Sequence, residues 1–166
     1  MATYNKEKAI REITPLSERD FFYIADRSKS EFTYPIHSHA EYELNFTENA
    51  KVVKRIVGDS VEVIGEYDLH LIACKDLEHV LEQNECQSER VREITIQFSP
   101  DIFEKNFTNK VQFDSIRKML DRAQRGIAFP MSAILKVYPT LSTLSYEEDS
   151  FYAVMKFFTI LYELSK

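Results

Sequence analysis

The chain has no tryptophan, only three glycines, two cysteines and no long apolar run. Each shortage removes a class of protein. No run approaches the ~18 consecutive apolar residues that a membrane-spanning helix needs, and the start, M-A-T-Y-N-K-E-K, lacks the apolar core of an export signal. No membrane partner is expected. Cys74 and Cys86 have neither the spacing of a zinc site nor the density of a disulfide scaffold, so free thiols in a cytoplasmic protein are expected. Lys and Arg are outnumbered 21 to 27 by Asp and Glu, giving a net charge of −6; a chain so short of cations is not expected to hold a nucleic-acid backbone itself. There is no Gly-x-Ser-x-Gly elbow, no glycine-rich phosphate loop and no Cys-x2-Cys pair.

What remains is a 166-residue chain, 44% hydrophobic and rich in Phe and Tyr, long enough for one domain with a real core. Its first ~98 residues read as short strands divided by turn residues. These strands are Ile10–Ile13, Phe21–Ala25, Phe32–His37, Glu41–Thr47, Val52–Val57, Val61–Ile64, Leu69–Ala73, Leu77–Leu81 and Arg92–Phe98. At Ser99-Pro100 the period changes to that of helices. A short helix is predicted at Asp101–Phe107, a second at Ser115–Arg125 and a third over Met131–Leu144 with Pro139 as a kink. A fourth begins near Glu147. This segregation predicts an α+β fold: a β sandwich or barrel over residues 1–98, with helices of residues 99–166 on its outside.

The stretch Tyr34 to Phe46 concentrates the chemistry. In an extended strand His37, His39, Glu41, Glu43 and Asn45 share one face, and Ile36, Tyr42, Leu44 and Phe46 the other. Either the polar face is solvated and the apolar one is core, or the polar face lines a cavity while a second layer covers the apolar side. The helical tail supplies such a layer and favours the cavity. On the last strand Glu93, Thr95 and Gln97 are the matching inward candidates. His70 reads as a strand histidine satisfied locally, and Cys74 as an unreactive small residue.

The terminal stretch from Phe151 is apolar on two faces: Phe151, Val154, Met155, Phe158, Leu161 and Tyr162 on one, Ala153, Phe157, Ile160 and Leu164 on the other. Both must be buried. One expectation is a homodimer using Phe157, Ile160 and Leu164; the alternative is a helix sandwiched within its own subunit. The chain stops in E-L-S-K while still helical by pattern, as if cut from a longer protein.

His37-Ser38-His39 followed by Glu43 resembles the first motif of the cupin superfamily, His-x-His-x3-Glu, and the segment from Asp68 to His79 resembles its second motif. The motif glycines are replaced here by Glu31, Ala50 and Tyr67, Ala73 stands for the second motif's proline, and Gln83 for its asparagine. The order of these motifs, then I-T-I-Q-F-S-P-D-I-F (Ile94 to Phe103) and a helical tail, resembles the N-terminal domain of AraC-type transcriptional regulators from about Ile10 onward. The resemblance implies a cupin-like double-stranded β-barrel, or jelly roll, that binds a small effector and dimerises. DNA would be bound only by a C-terminal helix-turn-helix domain absent from this chain. It implies a polar ligand such as a sugar, held by His37, His39, Glu41, Glu43, His79 and Gln97. No cofactor is expected of such a domain. A divalent metal on His37, His39, Glu43 and His79 belongs to the rival reading, a stand-alone metal-dependent cupin enzyme such as a dioxygenase or isomerase.

Overall fold

Alternating polar and apolar residues in the first half of the chain build two five-stranded sheets; the structure, a computed structural model, describes residues 9–166. The N-terminal stretch read above for an export signal lies outside the described residues. The strands are β1 (Ile10–Arg11), β2 (Tyr23–Lys29), β3 (His37–Ser38), β4 (Tyr42–Glu48), β5 (Lys54–Val57), β6 (Ser60–Val63), β7 (Tyr67–Ile72), β8 (His79–Glu82), β9 (Val91–Phe98) and β10 (Ile127–Ala128). One sheet runs β1-β3-β8-β5-β6, the other β10-β7-β4-β9-β2, and every pairing except β1 with β3 is antiparallel.

Three α-helices follow: α1 (Asp114–Arg122), α2 (Met131–Leu141) and α3 (Ser150–Leu164). Asp149 caps α3, its carboxylate accepting from the amides of Phe151 at 2.9 Å and Tyr152 at 3.2 Å. The helices lie on one face of the second sheet. Leu44 and Phe46 of β4, Leu69 and Leu71 of β7, and Ile94, Ile96 and Phe98 of β9 share a single core with Ile116, Met119, Ile134, Val137 and Phe157. The opposite face of β4 carries Glu43, Asn45 and Thr47, all buried toward the first sheet. The apolar side of this strand is therefore a packing face for helices, and the fold is α+β, although the stretch expected to be helical also supplies β10, which pairs with β7 in the second sheet.

Several expected elements differ. Residues 32–36 form no strand, and the chain bends at 39–41, so β3 and β4 belong to different sheets. No α-helix forms over Asp101–Phe107; a 3-10 turn occupies Asn106–Asn109. Ser99 spends its hydroxyl on the Asp101 carboxylate at 2.6 Å instead of capping a helix, and Arg117 takes the carbonyls of Phe103 at 3.0 Å, Thr108 at 2.7 Å and Lys110 at 2.8 Å. Of these carbonyls only that of Phe103 lies within the expected helix, and it is satisfied from outside the segment.

The terminal helix also needs correction. Phe157, Ile160 and Leu164 are buried inside their own subunit, as are Phe158 and Leu161 of the other stripe. α3 packs against α2, α1 and the sheet through Phe157, Phe158, Ile160, Leu161 and Leu164, while Phe151, Tyr152 and Tyr162 stay exposed. The three residues expected at a dimer interface are core residues.

A second tie joins the β body to the helical segment. Arg92 of β9 grips Asp26 of β2 with two hydrogen bonds, at 3.0 and 2.7 Å, and the Ser145 hydroxyl donates to the same carboxylate at 2.6 Å. The hydrogen bond from Arg92 outweighs burial and holds the Asp26 carboxyl below its ordinary range.

Candidate functional site

The inward side chains of the two sheets enclose a cavity of about 220 Å³. The first sheet contributes His37, Arg55 and His79, and the second Lys29, Glu43, Asn45, His70, Glu93, Thr95 and Gln97. Glu12, Arg27 and Tyr34 also line it, and Phe32, Val57 and Leu81 supply apolar wall.

At one end β3, β4 and β8 bring three imidazoles to one carboxylate. His37 pairs directly with His79 across the β3–β8 ladder. The ring centroids of His37 and His79 are 4.3 Å apart, those of His39 and His79 4.8 Å. One ligand atom from each of His37, His39, Glu43 and His79 lies within 4.8 Å of all the others. Each ring donates its Nδ1–H to a backbone carbonyl two residues away: His37 to Pro35 and His79 to Leu77, both at 2.9 Å, and His39 to Glu41 at 3.0 Å. A carbonyl can only accept, so in a neutral ring Nδ1 carries the proton and Nε2 presents a lone pair.

Glu43 sits at the centre and is 4% exposed. Its Oε1 meets His39 Nε2 and Gln97 Nε2, each at 3.1 Å. Oε2 is 3.4 Å from His79 Nε2, and that nitrogen has no aligned hydrogen-bond partner. Burial alone would raise the Glu43 carboxyl, but the charge of His79 and the hydrogen bond of His39 hold it well below the carboxylate range. Burial works against a charged His79 too, and there the Glu43 carboxylate wins and raises it. His37 is lowered, by burial first and then by its neighbour His79.

The bend at 39–41 decides which expected residues reach the cavity. His37, Glu43, His79 and Gln97 line it, and His39 stands behind Glu43, 2% exposed. Glu41 is not among the lining residues. It lies beyond the bend, where the Thr14 hydroxyl donates to its Oε2 at 3.1 Å. Strict alternation put Glu41 on the polar face only because the strand was taken as unbroken.

Toward the other end lies a second polar group that the motif spacing did not reveal. Arg55 bonds Asp68, and the other oxygen of Asp68 accepts from His70 Nδ1 at 3.2 Å. Beside them Lys29 pairs with Glu93 at 2.6 Å, and Asn45 Nδ2 donates to Glu93 and to Thr95, both at 3.0 Å. The signal for Asp68 and His70 was present: they alternate with Tyr67, Leu69 and Leu71, as Glu43 and Asn45 alternate with Tyr42, Leu44 and Phe46.

A helix-backed pair of sheets enclosing a polar chamber defines the type of fold here. That fold recurs in crystal structures of ToxT from Vibrio cholerae. Apo ToxT K231A of strain SCE256 matches with a TM-score of 0.54 at 11% identity, over 85% of this chain and 53% of that one. ToxT of strain O395 bound to (E)-4-(8-methylnaphthalen-1-yl)but-3-enoic acid gives 0.49 at 11% identity, over 89% and 59%. Wild-type ToxT of strain SCE256 with an unsaturated fatty acid bound gives 0.41 at 12%, over 88% and 56%. At such identity the likeness is one of fold alone, and it is carried by the first of these. The chain spans about half the length of ToxT. No family model matches the sequence, and no curated protein is significantly similar to it.

Proposed function

We propose that this chain is the effector-sensing module of a DNA-binding transcription regulator of the AraC type, with a small polar molecule such as a sugar as effector. The observation that carries the reading is the two-sided use of β4. Glu43 and Asn45 face the chamber while Leu44 and Phe46, the residues between and beyond them, are packed under the helices. A ligand that draws on the inner side chains acts on the same backbone that seats α1–α3. A shift between two helix packings, biased by a ligand that binds them differently, is how such a module would signal. The shared fold with part of ToxT supports this, and ToxT structures carry an unsaturated fatty acid or a naphthyl butenoic acid. The module would pair with a second copy through side chains that remain exposed on the helices, such as Leu135, Tyr152 and Tyr162. Titration of effector candidates into the longer protein tests the reading. Operator affinity or self-association should change with the compound that raises the melting temperature of this chain. Independence of both from any such compound would remove the sensor assignment.

A second reading is favoured by the histidine end of the cavity. Three Nε2 lone pairs and a carboxylate converge, each ring is oriented by a backbone carbonyl, and the buried Nε2 of His79 lacks an aligned partner. This donor set fits a divalent first-row metal held by His37, His39, Glu43 and His79. When bound, such an ion supplies Lewis-acid chemistry and, in an enzyme, activates a water or an oxygen of the substrate. Arg55, Asn45 and His70 would then orient whatever shares the chamber with it. Elemental analysis and titration with Zn²⁺ and Mn²⁺ test this: stoichiometric binding that weakens as pH falls, since protons compete for the imidazoles, and that is lost in His79→Ala. A metal-free protein indifferent to added ions would leave the organic effector alone in the cavity.

A further inference from the structure

The middle of the second sheet's inner face carries a row of three side chains in register: His70 of β7 pairs across to Asn45 of β4, and Asn45 to Thr95 of β9. All three line the cavity. The Asn45 amide can be oriented without ambiguity. Its Nδ2 donates to Glu93 Oε2 at 3.0 Å and to Thr95 Oγ1 at 3.0 Å, and a carboxylate accepts only, so the nitrogen must face Glu93. That turns Oδ1 the other way. Asn45 is 3% exposed, and Oδ1 is buried without a hydrogen-bond partner among the described residues. A buried orphan acceptor in the cavity wall costs about 1–3 kcal/mol, which an incoming donor would recover.

His70 is fixed in the same sense. Its Nδ1 lies 3.2 Å from Asp68 Oδ2, which can only accept, and Asp68 is itself held by Arg55, so in a neutral ring Nε2 is the lone-pair nitrogen. The charges nearest the row are cancelled within the wall, Lys29 by Glu93 and Arg55 by Asp68 and Glu62. Arg27 is the cavity-lining cation with no ion pair among the described residues, and it is exposed. The cations nearest the row are thus already paired, and Asn45 Oδ1 remains an acceptor without a partner among the described residues.

We infer that Asn45 and His70 are the specificity-determining residues of the chamber, and that they select a ligand bearing adjacent hydrogen-bond donors, with no carboxylate at this depth. This rests on the reading of the cavity as a ligand site and narrows it. Neutral polyols and small organic amines both carry such donors, and a carboxylic acid does not carry them in ionised form.

Thermal-shift and calorimetric titration of the 166-residue chain with three panels separates these: ribitol, erythritol and aldopentoses; putrescine, spermidine and ethanolamine; and butyrate, octanoate and oleate. A polyol or an amine should bind, the panel that responds naming the source of the donors. Asn45→Ala and His70→Phe should each weaken that binding about tenfold, the size of one hydrogen bond. Because Asn45→Ala also frees Glu93 and can unfold the chain, the wild-type side-chain amide resonance of Asn45 is the second readout; it should shift on saturation. Binding by a carboxylate alone, or by a donor ligand that leaves the Asn45 resonance and both variants' affinities unchanged, overturns the inference while leaving the sensor reading intact. Silence in all three panels removes both.

Discussion

Phe157→Ala is expected to cost about 3–5 kcal/mol of unfolding free energy, the usual price of an aromatic removed from a full core. Phe157 has no exposed surface, and its ring lies 4.7 Å from that of Phe22, 5.4 Å from Phe98 and 5.8 Å from Phe158. It locks α3 to the sheet and to the segment before β2, so nothing nearby can collapse into the gap without moving the helix. For a chain of this length each kcal/mol shifts the midpoint by roughly 2–4 °C, which puts the loss near 10 °C. Tyr152→Ala, on the same helix but largely exposed, should change stability by less than about 0.5 kcal/mol. Urea or thermal unfolding followed by circular dichroism measures both. If Phe157→Ala instead left the midpoint in place and dissociated a dimer, the burial described above would be wrong and the interface expectation would return.

At the other side of the same sheet, Glu43→Ala should destabilise by about 3–5 kcal/mol near pH 6, because it leaves buried histidines facing one another without their counter-charge. The size of the loss depends on pH in a definite sense. The Glu43 carboxyl is lowered in the folded state, so its contribution is complete above the unfolded value of about 4.3 and is lost as pH falls through the lower folded value. His79 is raised, so its contribution is complete below about 6.5 and is lost as pH rises through the higher folded value. The gap between wild type and variant is therefore widest between about pH 4.3 and 6.5 and narrows on both sides. Glu43→Gln, which keeps an acceptor and the contact with Gln97, should lose less. A gap independent of pH would mean that the carboxylate is not paired with the imidazoles. Saturation with a metal ion would change the pattern, since stabilisation by the ion grows with pH where that of the proton-bound pair fades.

Local chemistry made much of this legible before any coordinates. The two faces of β4 could be read from alternation alone, and the helical stripe of Ile116, Met119 and Leu120 from its spacing. The resemblance to the two cupin motifs implied the set His37, His39, Glu43 and His79, with the first three on one strand and His79 on its neighbour; here β3 and β8 of one sheet meet β4 of the other. What the sequence hid was non-local. The bend at 39–41 that turns Glu41 toward Thr14 has no glycine or proline to mark it. Arg117 takes the carbonyl of Phe103, 14 positions away, inside the stretch expected to be helical. Arg55 gave no hint that its partner would be Asp68, on a strand of the opposite sheet. The doubly apolar α3 fitted either a partner copy or its own subunit, and only the placement of α1 and α2 decides between them.

The grip of Arg92 and Ser145 on Asp26 has a mechanical corollary. The loop before α3 is riveted to the β body by a charged, two-pronged contact, reinforced where Lys156 reaches back to Glu147 at 2.5 Å. At its far end the same helix is joined to α1 by a single pair of hydroxyls, Ser115 and Ser165, 2.8 Å apart. That end is also held by Lys136, which pairs with Glu163 at 2.9 Å, and by the buried Phe157, Ile160, Leu161 and Leu164, whereas Phe151 and Tyr152 of the first turn stand exposed. A displacement of the sheet would therefore pass to α1 and α2 through the C-terminal half of this helix.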